Sequence, residues 1–176
     1  LSYSCMKNMS SIISSHNKTI LEPNVDETGC NCKNKLECPV ENKCLTKKVI
    51  YKAEVKNNKN EDTKIYIGLS ENSFKERYRN HTKSFRHDKY KNETVLSKYI
   101  WDLKENDAMP IVKWSFIKTI KGKLNSNNCS LCLIEKFNII NLLDDKNLLN
   151  KKSEFISKCR HVNKFMIGSI RNDSMD

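Results

Sequence analysis

Val49-Ile50-Tyr51-Lys52-Ala53-Glu54-Val55 and Lys64-Ile65-Tyr66-Ile67-Gly68-Leu69 are two short segments rich in β-branched and aromatic residues. Between them, residues 56–63 are almost wholly polar and have nothing to bury. Such a pattern predicts two antiparallel strands joined by a solvated loop. A helix is expected next, capped by Asn72 or Ser73, with Glu76 near its first turn where a carboxylate suits the dipole. Arg77 and His81 on that helix are four apart and share a face. Two phenols, a guanidinium and an imidazole thus belong to one small unit.

The same helical stretch, 72–91, carries Phe74, Tyr78 and Phe85 at roughly helical spacing. Its polar side is basic, and Lys75, Arg79, Lys83 and Arg86 are candidate phosphate contacts. A solvated basic face is the plainer alternative for some of them. Residues 93–106 predict a second amphipathic helix, from Val95, Leu96, Tyr99, Ile100 and Leu103 at three- and four-residue steps, with Trp101 beside the stripe as packing. A third strand is expected from Ile111, with Val112, Trp114 and Phe116 on one face, before a turn at Lys121-Gly122-Lys123. Residues 129–143 are apolar nearly all round, which predicts a substantially buried helix. Glu135 sits inside that run, so its carboxylate is paired, metal-bound, at a cleft or on a narrow exposed strip. Residues 151–164 predict a short last helix ending in Cys159-Arg160-His161.

Composition sets wider bounds. The 176 residues suit one domain, or one domain with a small module. Thirty-two Lys and Arg against 21 Asp and Glu give a net charge of +11, which favours a polyanionic partner through counterion release. No run approaches the roughly 18 apolar residues of a membrane span, so no membrane partner is expected. The polar start, without a signal peptide or an initiator methionine, suggests a piece of a longer intracellular chain. Eight cysteines in that setting favour metal over disulfides. Cys30, Cys32, Cys38 and Cys44 fall within fifteen positions that cannot build a core alone. Zinc ligation would organise them, unless they are unconnected loop thiols. Cys129-x2-Cys132 also has metal-ligand spacing, with Cys159 and His161, or with Cys30 and Cys32, as partners; ordinary core thiols are the alternative.

Val49-Ile50-Tyr51 and Tyr66-Ile67-Gly68 resemble the paired motif of the GIY-YIG nucleases. Arg77 nine residues after Gly68, Glu135 on an apolar helix and Asn150 fifteen residues beyond it stand where that family keeps its arginine, glutamate and asparagine. The first glycine of the motif is Val49 here, a strand-backbone position. The cysteines upstream of Tyr51, the segment Cys129-Ser-Leu-Cys132-Leu-Ile-Glu135-Lys136, Cys159-Arg160-His161 and the opening Tyr3-Ser4-Cys5-Met6-Lys7-Asn8-Met9 are similar to the endonuclease domain of Penelope-like retroelements.

That resemblance implies roles. Tyr51 acts on the attacking water or orients it, Tyr66 assists, and Arg77 holds the phosphate. Glu135 coordinates Mg²⁺ or Mn²⁺, and Asn150 braces the site through Glu135 or a strand. His81 matches a family position near the catalytic centre, but it equally suits a zinc site with His87, Cys38 and Cys44; the division preferred here gives His81 to catalysis and His87 to zinc. The expected fold is a small α/β (α+β) domain, a three-stranded mixed sheet (49–55, 64–69, 111–118) flanked by helices with a zinc-stapled N-terminal extension. Its expected parts are 1–29 as a connector to an upstream reverse transcriptase, extended or partly ordered, 30–48 as the zinc-binding extension, 49–165 as the endonuclease and 166–176 as a flexible tail. The implied function is nuclear nicking of target DNA to prime reverse transcription of element RNA. The rivals are a zinc-containing nucleic-acid binding module without activity and a zinc-bearing protein-interaction adaptor.

Overall fold

The structure, a computed structural model, describes residues 8–21, 29–58, 63–120, 129–156 and 159. The elements run α1 (Met9–Leu21), β1 (Val49–Asn57), β2 (Thr63–Ser70), α2 (Phe74–Arg86), α3 (Val95–Glu105), β3 (Pro110–Thr119), α4 (Ser130–Asn141) and α5 (Lys152–Ile156). The chain is α+β, and the three strands fall where the sequence places them. The expected turn at residues 121–123, His161 and the tail lie outside the described residues, as do residues 1–7 of the expected connector.

The sheet order is β2-β1-β3, with both pairs antiparallel. A mixed sheet was expected, and the geometry of the crossover explains the difference. After β2 the chain leaves the sheet beside Val49, passes through α2 and α3 and re-enters at the opposite end, with Pro110 opposite Asn57. So β3 runs in the direction of β2 and opposes the central β1. The parallel component is reduced to an isolated bridge, Ile65 to Leu148, on the outer edge of β2.

The alternation of side chains along the strands splits the core in two. Tyr51, Ala53, Val55 and Tyr66 face one way and pack with Phe74, Leu96, Ile100 and Trp114. Ile50 and Ile67 face the other way and pack with Leu131 and Ile139 of α4. The sheet therefore lies between α2 and α3 on one face and α4 on the other. Helix α3 starts at a capping box in which Thr94 Oγ1 accepts from the Ser97 N–H and Ser97 Oγ accepts from the Thr94 N–H, both at 3.0 Å. Trp101 is packing, as expected, and its Nε1 donates to the Ser84 carbonyl at 2.8 Å.

Two other expectations change. Part of the N-terminal connector is a helix, α1, with Met9 and Ile12 exposed. Helix α4 is less buried than its apolar sequence predicts: Leu131 and Ile139 are enclosed, while Leu133 and Phe137 are 68% and 61% exposed. A helix laid on one side of a sheet has one covered face, and apolar residues on the other face stay outside whatever their hydropathy.

Candidate functional site

Gly68 is the register partner of Tyr51 across the β1–β2 pair. A Cβ at Gly68 would stand 2.5 Å from Tyr51 Oη and 2.7 Å from its ring carbon Cζ. The bare glycine is therefore what lets the phenol lie flat across β2. From there Tyr51 Oη meets His81 Nε2 at 2.7 Å and accepts from Arg77 Nε at 3.0 Å. Because the guanidinium can only donate, the phenol hydrogen is free to point at His81. Burial, then the charge of Arg77, pushes the His81 pKa down to about 3, so the imidazole is neutral, and in the tautomer protonated at Nδ1 its Nε2 accepts from the phenol. Tyr51 is wholly buried, and burial pushes its pKa up to about 12, although Arg77 pulls the other way. Tyr66 is raised too, first by burial and then by Tyr51. Burial opposes the charge on Arg77, but the two tyrosines more than offset it and the net shift is upward.

Asn150 holds the outer edge of β2. Its Oδ1 accepts from the Ile67 N–H and its Nδ2 donates to the Ile67 carbonyl, both at 2.8 Å. The side-chain amide thereby completes the edge as another strand would. Neighbouring backbone bonds, Ile65 N–H to Asn147 O and Leu149 N–H to Ile65 O at 2.8 Å each, extend the same pairing. Of the two bracing routes expected for Asn150, the strand is the one seen. Its Nδ2 also donates to Glu154 Oε2 at 2.6 Å.

Glu154 was missed by sequence reasoning. A carboxylate four residues after Asn150, in the first turn of a short helix, was the available signal. It matters because it lies near Glu135. Burial, then the charge of Glu154, pushes the Glu135 pKa up to about 7, while Arg77, Lys136 and the Leu69 backbone act in the opposite sense. Burial raises Glu154 as well, against the Asn150 hydrogen bond. Both carboxylates also bear on the two phenols. Tyr51, Tyr66, Arg77 and His81 on one side of the sheet thus share an electrostatic neighbourhood with Glu135 and Glu154 on the other, around β2.

The seven cysteines among the described residues form two groups. Ligand atoms of Cys30, Cys32, Cys38 and Cys44 lie within 4.8 Å of one another, as do those of Cys129, Cys132 and Cys159. Both groups can hold a metal ion such as zinc. In the first, Cys44 Sγ is 3.6 Å from Cys30 Sγ and 3.7 Å from Cys32 Sγ. The Cys32 N–H donates to Cys30 Sγ at 3.3 Å and draws that thiol down to about 7, whereas burial, above all, pushes Cys44 up to about 12. Glu41 and Asn42, at φ 48° and 65°, turn the chain tightly enough to bring Cys38 and Cys44 together. The expected assignment of His87 to this group does not hold: the ring ends α2, is exposed and stands edge-on to Tyr90 at 6.4 Å. The four cysteines already supply a full tetrahedral set, so no place is left for it. His81 lies with Tyr51 and not with the thiols.

The cysteine loop also caps the site helix. Neither Asn72 nor Ser73 does so through a side chain; the Phe74 N–H donates to Thr46 O at 3.0 Å and the Lys75 N–H to Cys44 O at 2.7 Å. Lys75, expected to contact phosphate, turns back onto this loop, with Nζ 2.6 Å from Asn31 Oδ1. Arg79, Lys83 and Arg86 are exposed, and Lys83 Nζ lies 4.2 Å over the Tyr90 ring. Compared with family models, with curated proteins and with solved structures, the chain matches none.

Proposed function

We propose that this chain is a metal-dependent DNA endonuclease domain of GIY-YIG type, a nickase of a Penelope-like retroelement that frees a 3′ end for target-primed reverse transcription in the nucleus. The observation that carries the reading is the Tyr51 oxygen held between the neutral imidazole of His81 at 2.7 Å and the guanidinium of Arg77 at 3.0 Å. In this reading the contacts with His81 and Arg77 fix the Tyr51 hydroxyl, and Tyr51 orients the water that attacks phosphorus. The remaining guanidinium nitrogens of Arg77 hold a phosphate oxygen. Glu135 and Glu154 would hold one Mg²⁺ or Mn²⁺, which supplies charge compensation for the phosphate and the leaving oxygen. The surface of Arg79, Lys83 and Arg86 would follow the DNA backbone.

One observation favours a second reading, a zinc-containing nucleic-acid binding module without catalysis: the complete burial of Tyr51. Plasmid nicking separates the two. Supercoiled DNA incubated with the purified chain and Mg²⁺ or Mn²⁺ is expected to relax. Glu135→Ala and Tyr51→Phe are each expected to slow relaxation by about 100-fold or more while DNA retention stays close to that of the parent. Retention by the parent with no relaxation under either metal would select the binding module.

A further inference from the structure

Cys132 Sγ and Cys159 Sγ are 3.4 Å apart, and the Cys129 thiol joins them within 4.8 Å. Two thiolates on one tetrahedral zinc, with Zn–S near 2.3 Å, are separated by about 3.8 Å. The spacing is that of a ligand set, assembled from residues 27 apart in sequence. The two segments it joins are the ones that bear the carboxylates. Cys129 caps α4 and Cys132 lies in its first turn, one helical turn before Glu135. Cys159 follows α5, which carries Glu154 and packs against α4. Asn150, just before α5, grips both Ile67 and Glu154.

We propose that Cys129, Cys132 and Cys159 bind a second zinc ion, separate from the four-cysteine one, and that this ion is a tie that sets where Glu154 stands relative to Glu135. Three soft thiolates select zinc over Mg²⁺ or Mn²⁺, which the oxygen donors take, so the two kinds of metal do not compete for one place. Three protein thiolates leave one tetrahedral position for a further donor. Helix α5 is only five residues long and cannot hold its own geometry. A covalently strong cross-link immediately after it restrains its position at small entropic cost. The zinc-site part stands by itself; the consequence for cleavage rests on the nuclease reading above.

The experiment is zinc content per chain, by atomic emission on protein purified under reducing conditions, paired with plasmid nicking. The parent is expected to carry two zinc ions, Cys159→Ser one and Cys159→His two, because imidazole replaces the thiolate. Circular dichroism of Cys159→Ser is expected to keep the parent's strand and helix signal, since Cys159 itself belongs to neither half of the core. Cys159→Ser is expected to nick at least about tenfold more slowly with unchanged DNA retention, and Cys159→His to recover. One zinc in the parent, a Cys132–Cys159 disulfide in the purified parent, or two zinc ions in Cys159→Ser would overturn the site. The expected zinc counts with undiminished nicking by Cys159→Ser would overturn the tie. The expected counts with a parent that does not nick would leave the site standing and sink the nuclease reading instead.

Discussion

Gly68 shows how one missing side chain organises the rest. Tyr51 reaches His81 and Arg77 only because nothing projects from the opposite position on β2. Gly68→Ala is expected to push the phenol off both partners and to destabilise the domain by about 1–3 kcal/mol, measured by urea unfolding. A variant as stable as the parent would show that the strand pair can shift without cost. Glu135 makes a second prediction at this scale. In the folded protein its pKa is raised to about 7 from the ordinary carboxylate value of 4.5. The folded protein therefore holds that proton more tightly than the unfolded chain. Stability from this group is complete below about pH 4.5 and is lost as pH rises through 7. Without added Mg²⁺, the parent is expected to lose up to about 3 kcal/mol relative to Glu135→Gln between pH 4.5 and 7.5. His81, whose pKa is depressed, acts in the opposite sense below its usual range, but both proteins carry it, so the difference isolates Glu135. Parallel pH profiles would mean that Glu135 is solvated and ordinary.

At the scale of elements, β2 has two different edges. One pairs with β1; the other is closed by Asn150 and the chain from 147 to 149. Asn150→Ala would leave the Ile67 N–H and C=O without partners on a buried strand, and would release Glu154. A loss of about 2–4 kcal/mol is expected, seen as a lower urea midpoint, together with faster amide exchange at Ile67. Unchanged exchange there would mean that water replaces the amide. Helix α2 is a comparable case. Its first donors are satisfied by carbonyls of the cysteine loop and not by its own cap residue, so the loop and the helix that carries Arg77 and His81 stand or fall together.

For the whole molecule that coupling becomes a prediction about metal. Removal of zinc from the first cluster with a strong chelator is expected to unfold residues 29–48 and fray α2. Helical ellipticity and the melting temperature should fall together and return on adding zinc. Melting unchanged by chelation would show the cysteine loop to be held by packing alone. The charge of +11 acts at the same scale: DNA affinity is expected to fall at least about tenfold between about 50 and 200 mM salt, by filter binding. A flat salt profile would favour a protein partner over DNA.

The strands, the order of the elements and the chemically active residue types were legible in the sequence because hydropathy period and residue type are local properties. Tyr51, Tyr66, Arg77 and His81 lie within 31 consecutive positions on a strand pair and the helix that follows, so their meeting could be read from spacing. Strand direction could not, because it depends on where the α2–α3 crossover returns the chain. The exposed face of α4 could not, because burial belongs to a pair of surfaces and a sequence gives one of them. The grouping of the thiols, the exclusion of His87 and the nearness of Glu154 to Glu135 also came only from the tertiary structure. Each depends on distances between segments far apart in the chain, and residue types alone do not carry those distances.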